Sequence, residues 1–272
     1  MEKFLRDMLP ILEAFPLPTT LSSFSAEKAE KRINLAKCEN CAVSSRVMAA
    51  LADIRPALLK DHWDPQDHVL RAKLARLHGV DREQVLLVSG GNGGIRYTFE
   101  MFTTPGMQIG LLKPDYPFWY FSQRSRTTIA WLENRTFPFR HEPDDIVRFV
   151  QDQSCRFVIL SNPNGGLGTK KTGSEIETIV RSSPGTVFVI DESDAIDTDS
   201  AADLTVRHEN VIVIRSFSKF YGLSGLRIGY IVVPVALSEH FKRFIDFLEL
   251  TGTRFALSPK HRLTATVSLR SF

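Results

Sequence analysis

Short apolar runs alternate with amphipathic helical stretches from residue 85 onward. Several of the runs are apolar without interruption, which is typical of strands that are covered on both faces. In segment 143–153, by contrast, Ile146, Phe149 and Val150 recur at helical spacing, and segment 173–183 behaves in the same way. This alternation predicts an α/β fold in three layers, with a mainly parallel seven-stranded sheet. The predicted strands span residues 85–89, 108–112, 127–132, 156–161, 186–191, 211–216 and 227–233.

Helical patterns also flank the predicted sheet on both sides. Segment 64–80 has apolar residues at helical spacing, and Gly79 is a predicted C-terminal cap for that helix. Another amphipathic segment, 236–252, follows the last strand. The first 18 residues predict an amphipathic helix that is ended by prolines rather than a signal peptide, because charges interrupt its apolar positions.

Composition narrows the class of protein without identifying a function. The 272 residues are 43% hydrophobic and 24% charged, and the formal net charge is +3 with no run of one sign. These values favour a globular protein and give no reason to expect nucleic acid or a membrane as a partner. The three cysteines, Cys38, Cys41 and Cys155, are too few for a disulfide framework or a zinc site, so we expect plain thiols in a reducing cytoplasm.

Chemically useful side chains follow five of the predicted strands. In a sheet of this kind, ligands bind beyond the carboxyl ends of the strands. We therefore expect these segments to assemble one site. In chain order they are GGNGG, KPDYPFWY, NPNGGLGT, DESD and FSK.

Each of these features has an ordinary structural explanation beside a functional one. Lys219 is either a surface lysine or an amine whose pKa is lowered by its apolar surroundings, which suits a Schiff base. Asp191 is either a core acid or the partner of a cationic ring nitrogen. The aromatic residues from Tyr116 to Tyr120 either pack in the core or stack on a flat ring. The segment SGGNGGI is either a glycine-rich turn or an anion site at a helix N-terminus, and it matches neither a dinucleotide nor a Walker loop.

Taken together, the features meet the needs of pyridoxal phosphate. That cofactor requires a lysine, a carboxylate for its ring nitrogen, an aromatic face and a phosphate cup. The segment SFSKFYGLSGLRIGY then resembles the lysine motif of the fold-type I pyridoxal-phosphate enzymes, specifically of the class I/II aminotransferases near the histidinol-phosphate aminotransferases. The resemblance covers roughly residues 30 to 265.

The resemblance implies a role for each matching residue. Lys219 forms the Schiff base and shuttles the proton, Asp191 pairs with the pyridine nitrogen, and Tyr116 stacks on the ring. The residues that it assigns to the phosphate are Ser216, Ser218, Arg227, Gly93 and Gly94.

Two departures from the family pattern concern the ring hydroxyl. Gly165 stands where the family has an asparagine that donates to this hydroxyl, which leaves the neighbouring Asn164 as the candidate replacement. Asp194 stands where the family has a tyrosine. The resemblance leaves open which groups take the place of these two donors.

The resemblance also predicts the domain organisation. It implies an N-terminal helix and arm over residues 1–40, a large cofactor-binding domain over 41–248, and the start of a small domain over 249–272. Family members continue beyond that point into a small domain with a carboxylate-binding arginine. We therefore expect most of the small domain to be missing from this chain.

The expected function is that of an aminotransferase acting on an amino acid and a 2-oxo acid, as a cytoplasmic homodimer. A decarboxylase or lyase of the same fold remains an alternative, because one cofactor site supports several reactions. A non-catalytic relative that keeps the fold is a further alternative, favoured by Gly165, Asp194 and the expected short C-terminus. A nucleotide-binding α/β domain is disfavoured by the glycine pattern.

Overall fold

The computed structural model describes residues 40, 44–52, 68–137, 139–195 and 200–245. Its centre is a seven-stranded sheet in the order β1-β7-β6-β5-β4-β2-β3. Six strands run in the same direction, and β7 lies antiparallel between β1 and β6. The predicted fold class, a mainly parallel seven-stranded α/β sheet, is confirmed.

Every predicted strand is present. Their bounds are β1 Val85–Val88, β2 Gln108–Lys113, β3 Thr128–Glu133, β4 Phe157–Ser161, β5 Val187–Asp191, β6 Val211–Ser216 and β7 Gly229–Val232. The largest difference is at β7, which begins two residues later than predicted. Arg227 adopts the left-handed conformation, with φ 53° and ψ 47°, and this turn delays the strand.

Helices connect and cover the strands. They are α1 Ser45–Ala52, α2 His68–His78, α3 Gly90–Phe102, α4 Trp119–Ser125, α5 Pro143–Asp152, α6 Gly173–Ser182, α7 Leu204–Arg207 and α8 Val235–Ile245. The predicted cap of α2 is confirmed, because Gly79 has a φ of 65° and the next N–H, from Val80, donates to Ala75 O at 3.0 Å. At α6, Thr172 and Glu175 form a reciprocal capping box.

The core lies on both faces of the sheet, as three layers require. On one face, Ile146 of α5 and Ile176 of α6 pack against the strands together with Leu74 of α2. On the other face, Phe99 of α3 and Phe241 of α8 do the same. The strands β4, β5 and β6 are consequently buried on both sides, which explains their uninterrupted hydrophobic runs.

Several sequence predictions fall on residues that the structure does not describe. They are the N-terminal helix and arm up to residue 39, Cys38 and Cys41, the end of segment 236–252, and the predicted start of a small domain. Within the described ranges, none of the helices has the length and apolar character that a membrane span requires.

Candidate active site

The carboxyl ends of the parallel strands form the edge at which the candidate residues meet. Segment 89–92 follows β1, Tyr116 follows β2, Asn164 follows β4, and Asp191 ends β5. Ser216 ends β6, and Arg227 reaches the same edge because β7 runs in the opposite direction. Six neighbouring strands therefore contribute to one opening, as the chain order of the polar segments predicts.

The first turn of α3, Arg227 and the end of β6 form a cup. A β-carbon built on Gly90 would lie 3.0 Å from Arg227 Nη2, and one built on Gly91 would lie 3.8 Å from the Ser216 β-carbon. Gly90 has a φ of 69°, which a glycine adopts without strain. The guanidinium group and the positive end of a helix thus face the same space, an arrangement suited to a phosphate.

Gly229 brings the helix close to the sheet. A β-carbon on Gly229 would lie 2.7 Å from the carbonyl carbon of Gly90 and 2.8 Å from Arg215 O. These are backbone atoms, which cannot move aside as a flexible side chain does. The first turn of α3 therefore needs a glycine at position 229.

The start of α3 bears on Gly93 and Gly94, whose binding of the phosphate stays a prediction. Ser89 is the N-cap, so the N–H groups without an acceptor inside α3 belong to residues 89–92, and those of Gly93 and Gly94 lie within the helix. A β-carbon on Gly94 would lie 2.9 Å from Ile231 Cγ2, which shows that this glycine allows α3 to pack on the sheet. The geometry favours Gly90, Gly91 and Asn92 as the backbone donors.

A tight turn after β6 presents Lys219. Ser218 N donates to Ser216 Oγ at 3.1 Å, and Gly222 N donates to Lys219 O at 3.1 Å. Ser218 is buried, whereas Lys219 is half-buried at the opening. These bonds fix the backbone of the lysine directly after the carboxyl end of β6.

Asp191 is a buried carboxylate at the centre of the edge. It is 5% exposed, and its Oδ1 accepts hydrogen bonds from Ser193 N at 3.0 Å and Ser193 Oγ at 2.6 Å. The pKa of Asp191 is raised to about 7, chiefly by burial; the hydrogen bonds from Ser193 oppose the rise, and the charges of Asp115 and Asp194 add to it. In the described part of the chain, no cation forms an ion pair with this carboxylate.

Tyr116 lies over the same opening. Its hydroxyl donates to Asn92 Oδ1 at 3.1 Å, which links the segment after β2 to the first turn of α3. Desolvation raises the pKa of the Tyr116 hydroxyl, and the charges of Asp191 and Asp194 act in the same direction. Since 42% of this residue remains exposed, one side of it is free to meet a flat ligand.

The segment after β4 places Asn164 and Gly165 on the other side of Asp191. Asn164 Nδ2 donates to Pro114 O at 2.9 Å, and its Oδ1 accepts from Leu167 N at 3.2 Å. This side chain therefore stabilises its own loop. A β-carbon on Gly165 would overlap Asp194 Oδ2, so the Asp194 carboxylate occupies the space beside this glycine.

A buried ion pair lies beside Asp191, between the end of β5 and β6. Arg215 Nη1 donates to Glu192 Oε2 at 2.9 Å, and both side chains are at most 3% exposed. Ser200 and Ala201 donate two further hydrogen bonds to the Glu192 carboxylate. Charges as deeply buried as these are costly unless they are paired, and this pair links the end of β5 to β6 beside the site.

Sequence reasoning included the segments GGNGG and DESD in the predicted site, but it did not single out Gly90, Gly91, Asn92 or Ser193. The helix start carries a usable signal, since only the first four N–H groups of a helix lack internal acceptors. For Ser193 the signal is weaker. A serine two residues after an acid commonly donates to it, but this pattern alone does not separate a turn from a site.

Comparison with known proteins agrees with this geometry. Residues 31–266 match the family model for aminotransferase class I and II. The histidinol-phosphate aminotransferase of Halorubrum lacusprofundi is 34% identical over 208 residues, which are 72% of this chain and 55% of that protein. The enzyme of the same name from Gluconacetobacter diazotrophicus is 30% identical over 235 residues, covering 80% and 63%. The chain thus spans only a little more than half the length of these curated relatives.

Solved structures share the fold. The histidinol-phosphate aminotransferase of Sinorhizobium meliloti, a complex with pyridoxal-5'-phosphate, superposes with a TM-score of 0.72 at 21% identity, covering 79% of this chain and 59% of that one. The L-threonine-O-3-phosphate decarboxylase of Porphyromonas gingivalis gives 0.65 at 18% identity, covering 81% and 69%. The family match over most of the sequence, and the arrangement of strand ends described above, establish that this chain belongs to the class I and II aminotransferases.

Proposed function

We propose that this chain is the cofactor-binding part of a pyridoxal-phosphate-dependent aminotransferase that moves an amino group between an amino acid and a 2-oxo acid. The observation that carries the proposal is the buried carboxylate of Asp191 at an opening that also presents Lys219, Arg227 and Tyr116. The family membership and the names of the relatives support the same conclusion.

Asp191 fits the cofactor on chemical grounds. A buried carboxylate of raised pKa is costly in its charged form unless a cation pairs with it. A protonated pyridine nitrogen is such a cation, and its ring is flat enough to lie against Tyr116. Binding would therefore satisfy a charge that the described residues leave without a cationic partner.

The cup fits the phosphate. Arg227 supplies a permanent positive charge, the first turn of α3 supplies N–H donors, and Ser216 lies beside them. Ser218 is held against Ser216 by its N–H. We assign Arg227, Ser216, Ser218, Gly90 and Gly91 to the phosphate.

In the proposed reaction each residue has a distinct task. When bound, the cofactor supplies an electron sink for the electrons released beside the substrate's amino group. Lys219 would take the α-proton of the bound substrate as general base and would later give a proton back as general acid, at the cofactor carbon bonded to the amino nitrogen. Asp191 keeps the proton on the ring nitrogen. Arg227 and α3 anchor the phosphate, so that the ring keeps its position while protons move.

We further propose that the protein acts in the cytoplasm as a homodimer. The aromatic ring of Phe220, the residue after Lys219, is 43% exposed and suits a covering surface. Sedimentation of the purified protein measures its oligomeric state directly, and a monomer at micromolar concentration would contradict this part of the proposal.

The activity is tested by mixing the cofactor-loaded protein with a panel of amino acids. L-Histidinol phosphate belongs in the panel, because it gives the relatives their name. We expect one donor to bleach the visible band and to yield its oxo product, and a 2-oxo acid to restore the band. The Lys219→Ala variant should do neither. Release of carbon dioxide in place of the oxo product would indicate a decarboxylase, and a band that ignores every donor would indicate a non-catalytic relative.

A further inference from the structure

The strand order determines which edge of the bound ring faces which loop, and this inference rests on the proposed function. The phosphate cup lies at β1, β7 and β6, all on one side of β5. Asp191 ends β5, and β4 lies on its other side. In pyridoxal phosphate, the phosphate arm and the ring hydroxyl project on opposite sides of the axis through the ring nitrogen. With the nitrogen at Asp191 and the phosphate at Arg227, the ring hydroxyl therefore points towards the loop after β4.

Gly165 and Asp194 are the groups in contact at that position. A β-carbon on Gly165 would overlap Asp194 Oδ2 and would lie 3.2 Å from Asp194 Cγ. Any larger residue at 165 would thus have to displace the carboxylate. Asn164, the alternative donor, already bonds Pro114 O and Leu167 N within its own loop.

We propose that Asp194 is the partner of the ring hydroxyl: its carboxylate occupies the space left open by Gly165 and accepts the hydrogen bond that the hydroxyl donates. The pair acts as one unit, since the absence of a side chain at 165 is what admits the carboxylate. Asp194 is a positioning and tuning residue in this arrangement, and Lys219 remains the group that moves protons.

The charge of Asp194 changes the pKa of other titratable groups at the same edge of the sheet. It raises the pKa of both Asp191 and Tyr116. The groups that face this space from the packed elements are Asp115 and Tyr116 after β2, Asp191 at the end of β5, Lys219 after β6 and Arg227 before β7. A negative charge beside the ring stabilises the protonated form of the bound cofactor, so the pH at which that form loses its proton is raised.

The test is a pH titration of the visible absorbance of the cofactor-loaded protein, without substrate. In Asp194→Asn, which keeps the shape and removes the charge, we expect the midpoint to fall by about 1 pH unit, a modest shift because Asp194 is exposed. Gly165→Ala should shift the midpoint in the same direction, since the new methyl group displaces the carboxylate. Asp194→Glu, which retains the charge, should stay closer to the original midpoint. Asp152→Asn, an exposed acid at the far end of α5, is the matched control and should leave the titration unchanged.

Two results would overturn this inference while leaving the proposed function intact. One is a Lys219-dependent band whose midpoint is the same in Asp194→Asn as in the original protein. The other is a Gly165→Ala variant that titrates normally, which would show that the two residues do not act as a unit. Absence of any cofactor band in the original protein would instead overturn the proposed function and this inference together.

Discussion

At the scale of single residues, the burial of Asp191 determines whether its carboxylate serves the core or a ligand. The sequence does not show this burial directly. The pattern of β5 predicts an acid at a strand end, and it allows a core acid, a helix cap or a ligand group equally. The structure shows a carboxylate with two hydrogen bonds from Ser193 and no cationic partner among the described residues. That combination is unfavourable in the cofactor-free protein and useful once a cation binds.

The cost of Asp191 should appear in the pH dependence of stability. Its pKa is about 7 in the folded protein against an ordinary 3.8, so between these values the folded state holds a proton that the unfolded state lacks. Stability therefore falls as pH rises through this window. Without cofactor, we expect the free energy of unfolding of Asp191→Asn to exceed that of the original protein only slightly near pH 4. The gain should grow to on the order of 4 kcal/mol above pH 7, at ~1.4 kcal/mol per pH unit.

Urea unfolding at pH 5 and pH 8 measures this difference, with Asp152→Asn as the exposed control. A gain that is equal at the two pH values would mean that Asp191 is not held as a costly buried charge. The same variant should bind pyridoxal phosphate more weakly, because the ring nitrogen loses its counter-charge.

Arg227 combines an unfavourable backbone with a useful side chain. Its left-handed conformation costs about 1 to 2 kcal/mol in any residue other than glycine. Arg227→Gly should consequently keep or slightly raise the free energy of unfolding, while the affinity for pyridoxal phosphate and for inorganic phosphate falls at least tenfold. Equilibrium dialysis and urea unfolding separate the two effects. Parallel loss of stability and affinity would show that Arg227 serves the fold instead of the ligand.

At the scale of elements, hydrophobic pattern predicted the sheet well and the turns poorly. All seven strands were anticipated, and the strands inside the sheet gave the clearest signal because burial on both faces leaves an uninterrupted apolar run. The start of β7 was placed early, since Leu226 and Ile228 extend the apolar pattern around Arg227 although the backbone turns there. The sequence prediction named Gly93 and Gly94 for the phosphate, whereas the N–H groups without acceptors inside α3 belong to residues 89–92, because a run of glycines does not show where a helix begins.

The packing of α3 against β7 gives a sharp test at this scale. Gly229→Ala would place a methyl group against backbone atoms of Gly90 and Arg215, so the helix start has to move. We expect a loss of about 1 to 3 kcal/mol in the free energy of unfolding, together with weaker phosphate binding. Gly173→Ala, at the first residue of α6, meets no atom within 4 Å and should be nearly neutral. Similar losses in the two variants would show that the close approach at Gly229 is not specific.

At the scale of the whole molecule, topology assembles a site from residues spread between 89 and 227. A reader of the sequence can infer that polar segments after parallel strands meet at one edge, since crossover connections bring them there. The order of the strands is not readable in the same way. That order places β4 and the phosphate cup on opposite sides of Asp191. It is therefore the strand order that connects Gly165 and Asp194 with the ring hydroxyl.

A buried lysine, Lys171, competes with the half-buried Lys219 on chemical grounds. Lys171 follows β4, is 7% exposed, and has a pKa that burial lowers. A lowered pKa favours Schiff-base formation, so burial alone would select Lys171. The arrangement of the strand ends selects Lys219, because it follows β6 beside the phosphate cup.

Borohydride reduction of the protein with pyridoxal phosphate, followed by peptide mass spectrometry, decides between the two lysines. The account predicts a pyridoxyl group on Lys219 and a visible band that Lys219→Ala abolishes and Lys171→Ala retains. A label on Lys171, or a band that survives in Lys219→Ala, would contradict the central claim that the edge formed by β1, β7, β6 and β5 holds the cofactor.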